Sequence, residues 1–312
     1  MGPDSQLDVL VINYNTRALL LECVASVLEP TPMMKIDVVV VDNASSDGSC
    51  EAVRKAYPHV TVIANPTNRG FGSACNQAIS FTTAPFVLLL NSDARLTRQA
   101  LDALWECMQR NLRCGAAGCK MINPEGVELA NTWNFLTPFN QAFELSGFTH
   151  KVNSRVFRRS RQPSLNRDSL DCSVDWIDGS CLILRRAALV EVGLFDEQFF
   201  MYSEDEDLCL RLRKAGWSIC FSSAGTAFHH GGASSAQNKS EMLTQFYLSQ
   251  MRLLLKHHGR ATLSAYAASM KAVLMTKVGF SRLLSKTNQG EEFQRRLTAF
   301  AQARSNLTLQ KP

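Results

Sequence analysis

The 312-residue sequence has no Cys-x-x-Cys pair, no internal repeat, no low-complexity tract, and no apolar run of the roughly 18 residues that a membrane-spanning helix needs. Its first residues, Met1-Gly2-Pro3-Asp4-Ser5, carry neither a basic nor an apolar segment, so no secretory signal is expected. The ten cysteines do not read as a disulfide framework, because several sit in apolar stretches: Cys181 precedes Leu182-Ile183-Leu184, and Cys209 lies between Leu208 and Leu210. Free cysteine behaves there as a small hydrophobe, and a reduced, cytoplasmic setting is expected, with the sequons at Asn238 and Asn306 idle. Charge excess is also small, at +5 formally, so its placement matters more than its size, and no nucleic-acid partner is expected. With 46% hydrophobic and 20% charged residues, the composition is that of a globular protein and excludes a disordered one.

One local absence is equally informative. The turn after the first apolar run, Asn13-Tyr14-Asn15-Thr16, has no glycine. A dinucleotide-binding fold needs a glycine-rich turn there, so that backbone can approach a pyrophosphate. Gly70-Phe71-Gly72-Ser73-Ala74-Cys75 comes too late and lacks the third glycine, which excludes NAD. A nucleotidyltransferase, which would want a glycine-rich basic loop at the same place, is disfavoured for the same reason.

What is present is an alternation of two periods. Leu7 to Asn13, Ile36 to Val41, Val60 to Ala64 and Phe86 to Leu90 read as buried strands. Between and after them run helices: one after Thr16, its expected cap, with Leu19, Leu20, Cys23, Val24 and Val27 at helical spacing; then 51–57, 72–81 and 98–110. This order predicts a parallel, doubly wound α/β sheet with ligands beyond the carboxyl ends of its strands. Residues 123–170, with Pro124, Gly126, Pro138, Gly147, Pro163 and the basic run Arg155 to Arg161, read as an insertion covering or flanking a site. Order returns at Val174 to Leu184, with helices near 186–192 and 204–215, strands around Ile219 and Ala227, and helix from Ser235 onward.

Three strand ends are polar: Asn13-Tyr14-Asn15-Thr16, Asp42-Asn43-Ala44-Ser45 and Asn91-Ser92-Asp93-Ala94. One such end is an ordinary loop; three on one sheet edge describe a ligand crevice. These segments, with Val9-Leu10-Val11-Ile12, Ser46-Asp47-Gly48, Asn68-Arg69-Gly70-Phe71-Gly72 and Asn76, resemble a known family. The resemblance continues through Asp178-Gly179-Ser180, Gly193-Leu194-Phe195-Asp196-Glu197, Ser203-Glu204-Asp205-Glu206-Asp207-Leu208-Cys209-Leu210-Arg211 and His229-His230-Gly231-Gly232. The family is the family 2 glycosyltransferases of the GT-A fold, in the branch of rhamnosyl- and galactofuranosyltransferases, and the likeness covers residues 8–235.

The resemblance implies an α/β GT-A fold: a Rossmann-like, mostly parallel sheet flanked by helices. A transferase domain at 1–235 would divide into a nucleotide-binding half (1–110) and an acceptor and catalytic half (111–235), followed by a helical extension at 236–312. It implies an inverting, metal-dependent hexosyltransferase that uses a nucleotide-sugar donor. Asn13, Tyr14, Asn15, Asp42, Arg69, Asn76, Ser92 and Asp93 would bind that donor. Asp42 matches the aspartate that accepts a hydrogen bond from a pyrimidine base; its bland alternative is a turn cap. Tyr14 against the base and Arg69 facing the phosphates are balanced against plain loop roles.

Asp93 matches the last aspartate of a D-x-D-like motif for Mn2+ or Mg2+, although Asn91 stands at the first position. His229 matches the family's metal-ligand histidine, with His230 as fallback and a structural hydrogen bond as the alternative. Asp205 matches the general base. Its four-acid run at a helix start would also simply complement the macrodipole. Trp176, Asp178, Gly179 and Glu204 are placed at the acceptor site, with Trp176 equally readable as core.

Donor and acceptor follow from the branch: dTDP-L-rhamnose first, a UDP-sugar next, transferred to a glycan or polyprenyl-linked glycan in cell-surface polysaccharide synthesis. A non-catalytic nucleotide-sugar or glycan-binding protein is the rival from another class, disfavoured because Asp93 and Asp205 are both present. From Met242 to Val278, apolar residues interleave with Arg252, Lys256, His257, His258, Arg260, Lys271 and Lys277, and Arg282 and Lys286 extend the series. Such helices suit an anionic membrane surface, peripheral on the cytoplasmic face of the inner membrane, or merely pack with their charged face in solvent.

Overall fold

A computed structural model describes residues 6–29, 34–147, 172–232, 238–283 and 287–309. The basic run Arg155 to Arg161 and Lys286 lie outside the described residues. Among those described, the chain runs β1 (Leu7–Asn13), α1 (Arg17–Leu28), β2 (Ile36–Asp42), α2 (Ser49–Ala56), β3 (Thr61–Ala64), α3 (Phe71–Ser80), β4 (Phe86–Asn91), β5 (Ala94–Arg95) and α4 (Arg98–Arg110). It continues with β6 (Cys114–Ile122), β7 (Glu128–Leu129), β8 (Thr132–Trp133), α5 (Asn140–Ser146), β9 (Cys172–Ser173), β10 (Trp176–Ile177), β11 (Cys181–Arg185) and α6 (Arg186–Val192). Then come α7 (Glu204–Lys214), β12 (Ser218–His229), α8 (Lys239–Leu283) and α9 (Thr287–Leu309).

The chain forms two compact units, one holding the sheet with α1–α4, α6 and α7, the other α5, α8 and α9. In the first, the strand order is β3-β2-β1-β4-β11-β6-β12-β5, with β7 beside β6 and β9 beside β12. The β3-β2-β1-β4 half is parallel, as the βαβ alternation requires. The other half is mixed: β11 runs antiparallel to both β4 and β6, whereas β12 is parallel to β6. β1 and β4 are buried on both faces, which is why they read as continuous apolar runs. Leu20, Cys23, Val24 and Val27 of α1 and Leu101, Leu104 and Met108 of α4 share one core cluster with Val9, Val11 and Leu88. Burial of each such aliphatic side chain stabilises by about 1.5–3 kcal/mol.

Two local expectations are corrected. Thr16 does not cap α1 with its side chain. Its hydroxyl donates to Asn13 Oδ1 at 2.7 Å and lies 2.7 Å from Ser92 Oγ, while the Arg17 N–H goes instead to Asp47 Oδ2 at 2.8 Å. The strands expected around Ile219 and Ala227 are one strand, β12, irregular between Ser222 and Thr226. Gly225 explains why the irregularity packs: a Cβ there would lie 2.7 Å from Ala100 Cα.

In the second unit, α8 breaks at Gly259, whose φ of 80° ends the first helical run. Tyr247 and Phe300 meet edge to face at 5.4 Å, burying the apolar stripe of α8 against α9. No helix among the described residues is long and apolar enough to cross a membrane.

Candidate active site

The candidate site residues lie in the first unit, at the carboxyl ends of β1, β2 and β4 and in segments after them. Asn13 ends β1 fully buried, its Nδ2 donating to Asp42 Oδ2 at 2.7 Å and to Ser45 Oγ at 3.0 Å. Asp42 ends β2, and its Oδ1 accepts the Ser45 N–H at 2.8 Å. Asn15 adopts a left-handed φ of 52°, which asparagine tolerates, because its N–H reaches Ser45 Oγ at 2.8 Å and its Oδ1 accepts from Ser46 N at 2.7 Å. Asn13, Thr16 and Ser92 thereby tie the first and third polar strand ends together, and Asn13 and Asn15 tie the first to the second. Tyr14 is half-buried at this edge.

The turn after β4 carries Asp93, and strand pairing brings a partner to it. His229 pairs with Ala94, and the His230 N–H donates to the Asp93 carbonyl at 3.0 Å. His229 Nε2 thus lies 3.1 Å from Asp93 Oδ1 and 3.4 Å from Asn91 Nδ2. Burial by itself opposes an imidazolium here, but the hydrogen bond and charge of Asp93, with the charge of Asp178, outweigh it and raise the His229 pKa. Asp178 has its own pKa raised by burial, against hydrogen bonds from the Ser180 hydroxyl and N–H and the pull of His229. A carboxylate oxygen and an imidazole nitrogen this close together are two donors of the kinds that Mn2+ or Mg2+ accepts.

Asp205 stands on the first turn of α7. Its Oδ1 accepts the Glu206 N–H at 2.8 Å and its Oδ2 the Gly179 N–H at 3.2 Å. Burial, then the negative charge of Asp178, push its pKa up to about 7. Glu204, Asp205, Glu206 and Asp207 are only 4, 8, 0 and 0% exposed, so this run is not a solvated complement to a helix dipole. Asp207 is neutralised by Arg211 at 2.9 Å, and Arg211 also donates to the carbonyls of Val192, Gly193 and Leu194. Glu204 Oε2 is buried with no hydrogen-bond partner, and burial followed by the charge of Asp205 raises the Glu204 pKa. The backbone before α7 is held in the left-handed region at Tyr202 and Ser203, with φ of 68° and 65°.

Trp176 stacks on Trp133, ring centroids 6.0 Å apart and planes 23° from parallel. Trp133, which also hydrogen-bonds Asp178, was not legible in the sequence, because it sits on the two-residue strand β8 with no flanking pattern. Asn131 was missed likewise; its carbonyl accepts the Asp178 N–H at 3.1 Å, and its Nδ2 is anchored on the Cys119 carbonyl at 2.7 Å.

Arg69 and Asn76 are engaged with the segment that follows α6. Asn76 spends its amide on the Phe195 carbonyl (2.9 Å), the Phe195 N–H (2.9 Å) and Glu197 Oε1 (3.0 Å), and Arg69 pairs with Glu197 at 4.0 Å. Gly70 is fixed by φ of 84° and by Phe200, whose carbonyl oxygen would lie 2.2 Å from a Cβ.

A half-parallel, half-mixed sheet with acids gathered at its carboxyl edge is the architecture of the GT-A fold. The chain belongs to glycosyl transferase family 2, whose sequence model matches residues 8–193. That match includes Asp42, Asp93 and Asp178 but stops short of Asp205 and His229. Among relatives, the chain is 29% identical over 267 residues to an N-acetylglucosaminyl-diphospho-decaprenol L-rhamnosyltransferase of Mycobacterium tuberculosis, covering 81% of this chain and 85% of that protein. It is 45% identical over 60 residues to rhamnosyltransferase WbbL of Escherichia coli, covering 19% of this chain and 23% of that one. In fold it resembles the mannosyltransferase PcManGT from Pyrobaculum calidifontis, solved with GDP-Man and Mn2+ (TM-score 0.62, 16% identity, 98% of this chain and 88% of that one).

Proposed function

We propose that this glycosyltransferase moves L-rhamnose from dTDP-L-rhamnose to a polyprenyl-linked glycan by one inverting displacement, with a UDP-sugar as the second candidate donor. The observation that carries the catalytic reading is Asp205: a buried carboxylate with a pKa of about 7, fixed by two backbone N–H groups and electrostatically tied to Asp178. A general base is most effective when its pKa lies near the working pH. Asp205 accepts the proton of the attacking acceptor hydroxyl, and the Gly179 and Glu206 N–H groups keep its oxygens in place. Trp176, its partner Trp133, Asp178, Gly179 and Glu204 wall the acceptor, and the unpartnered Glu204 Oε2 offers it a hydrogen bond.

On the donor side, Asp42 accepts the pyrimidine N3–H with lone pairs left over from Ser45 and Asn13, and Tyr14 lies against the base. Asn13, Asn15 and Ser92 hold the strand ends in register around the nucleotide, and Arg69 and Asn76 act through the Glu197 segment that they anchor. Asp93 and His229 would hold Mn2+ or Mg2+, which supplies neutralising charge to the departing diphosphate.

The rhamnose and the lipid-linked acceptor rest on the Mycobacterium tuberculosis relative, whose name specifies both. Residues 1–235 form the transferase domain in this reading, and 236–312 an extension that rests on the cytoplasmic face of the inner membrane. What supports the membrane role is that Met275, Phe280 and Leu283 are 54, 59 and 79% exposed on α8, beside the exposed cations Lys271 and Arg282. The test is to incubate the protein with dTDP-L-rhamnose or UDP-sugars, Mn2+ and polyprenyl-diphosphate N-acetylglucosamine, and to assign the product anomer. Release of dTDP with inversion is expected. Release of UDP alone would overturn the donor, retention the mechanism, and full turnover in EDTA the metal.

A further inference from the structure

β12 ends at His229, and near its beginning three thiols meet. Cys107 lies in the last turn of α4, Cys114 opens β6, and Cys220 is the third residue of β12. Their sulfurs lie within 4.8 Å of one another, and no other group of three metal-ligating side chains among the described residues is so close. They are 2, 0 and 3% exposed. Three thiolates about 2.3 Å from one Zn2+ are about 4 Å apart, so the cluster needs only small shifts to enclose an ion.

The surroundings separate this group from cysteines that only fill space. Cys23, Cys75 and Cys209 are buried outside any such cluster, as small hydrophobes should be. Cys220 instead has polar side chains beside its sulfur. Asn111 Nδ2 is 3.8 Å from Cys220 Sγ and donates to Ser218 Oγ at 3.0 Å, and Ser218 Oγ is 3.6 Å from the same sulfur. The fixed cation of Arg185 is tied alongside, donating to the carbonyls of Cys114, Met108 and Asn111 at 2.9, 2.7 and 3.1 Å. Three thiols this close together have protons where a cation would sit. A divalent ion with three thiolates would carry one net negative charge, which Arg185 offsets, while Asn111 and Ser218 orient the sulfur ligands.

We propose that Cys107, Cys114 and Cys220 form a second metal site, selective for a thiophilic d10 cation such as Zn2+, which staples the end of α4 to β6 and β12. The ion replaces the thiol protons, which pass to solvent, and no oxidation is involved. Mg2+ and Mn2+, which prefer oxygen ligands, are poor occupants, so this site is separate from the Asp93–His229 pair.

The test uses the full chain, reduced and stripped of metal, titrated with Cd2+ as a spectroscopic stand-in. A sulfur-to-cadmium charge-transfer band saturating at one equivalent, and unaffected by excess Mg2+, is expected. Asp93→Ala should keep the band and Cys220→Ser should lose it. X-ray absorption on the Zn2+-loaded wild type needs no variant and should give three sulfurs at about 2.3 Å. A shell of oxygen and nitrogen alone, no band at one equivalent, or a disulfide joining two of the three cysteines in freshly purified protein would each overturn the site.

Discussion

Replacing Asp205 with asparagine should make the protein more stable at pH 8 while nearly abolishing transfer. Asp205 titrates at about 7 in the fold against an ordinary aspartate value of 3.8, chiefly because burial penalises its charge. At 1.36 kcal/mol per unit, keeping it ionised costs the fold roughly 4 kcal/mol. The sign is that of a raised pKa. The folded state holds the proton longer than the unfolded one, so this contribution is fully present below 3.8, is lost as pH rises through 7, and stays lost above. Asparagine removes the charge but turns one amide N–H2 toward a backbone donor, either Gly179 N–H or Glu206 N–H, a loss of about 1 kcal/mol. The net gain at pH 8 is therefore about 2–3 kcal/mol, vanishing or reversing below pH 4. Urea unfolding of both proteins at pH 4, 6 and 8 measures this, and kcat on the same samples should fall by roughly 10²–10⁴. In the wild type, kcat/KM should rise with pH to a plateau above about 7 as Asp205 loses its proton. A variant no more stable at pH 8 than wild type, or equally shifted at pH 4 and 8, would refute the idea that Asp205 is held ionised at a cost. One with near-normal turnover would refute its role as base.

Three further outcomes follow from the same geometry. Asp93→Ala should abolish transfer and remove the Mn2+ dependence of nucleotide binding, and His229→Ala should do so less completely; calorimetric titration with and without Mn2+ checks both. Asp42→Ala should weaken pyrimidine nucleotides by about 1.5–3 kcal/mol and leave GDP little changed, measured by thermal shift; equal losses for both bases would return Asp42 to bracing Asn13 and Ser45. Charge reversal of Lys271 and Arg282, both exposed on α8, should reduce pelleting with anionic vesicles at low salt, and unchanged pelleting would leave α8 and α9 a packing role alone.

The parallel half of the sheet was legible because its physics is local. Apolar runs such as Val38 to Val41, short and all β-branched, read as strands buried on both faces, and helical spacing fixes what lies between them. The mixed half was not. Nothing in Cys181 to Arg185 says that it runs against β4, because direction is set by a long connection and not by side-chain period. Thr16 misled for a related reason: a hydroxyl before a helix is a cap only when nothing else claims it, and Asn13 and Ser92, the latter distant in sequence, claim this one. The same non-locality hid Trp133 and Asn131, whose contact is with Asp178, in the turn after β10.

The acidic run at α7 shows how sequence and structure divide the argument. Composition permits an inert explanation, since four acids at a helix start and Arg211, Arg213 and Lys214 near its end offset the macrodipole at the surface. Burial removes it, because the dipole term is worth at most about 2 kcal/mol and desolvating even one carboxylate costs more. The protein answers that cost unequally. Asp207 is cancelled by Arg211, Asp205 is held by two N–H groups, and Glu204 is left with an oxygen unsatisfied. Asp207, given a counter-cation, is braced as structure alone would require. Asp205 and Glu204 are instead left with raised proton affinity, and Asp205 lies close enough to Asp178 to feel its charge. Stability alone would favour apolar residues at both positions, and the reaction proposed here gives each acid a reason to remain.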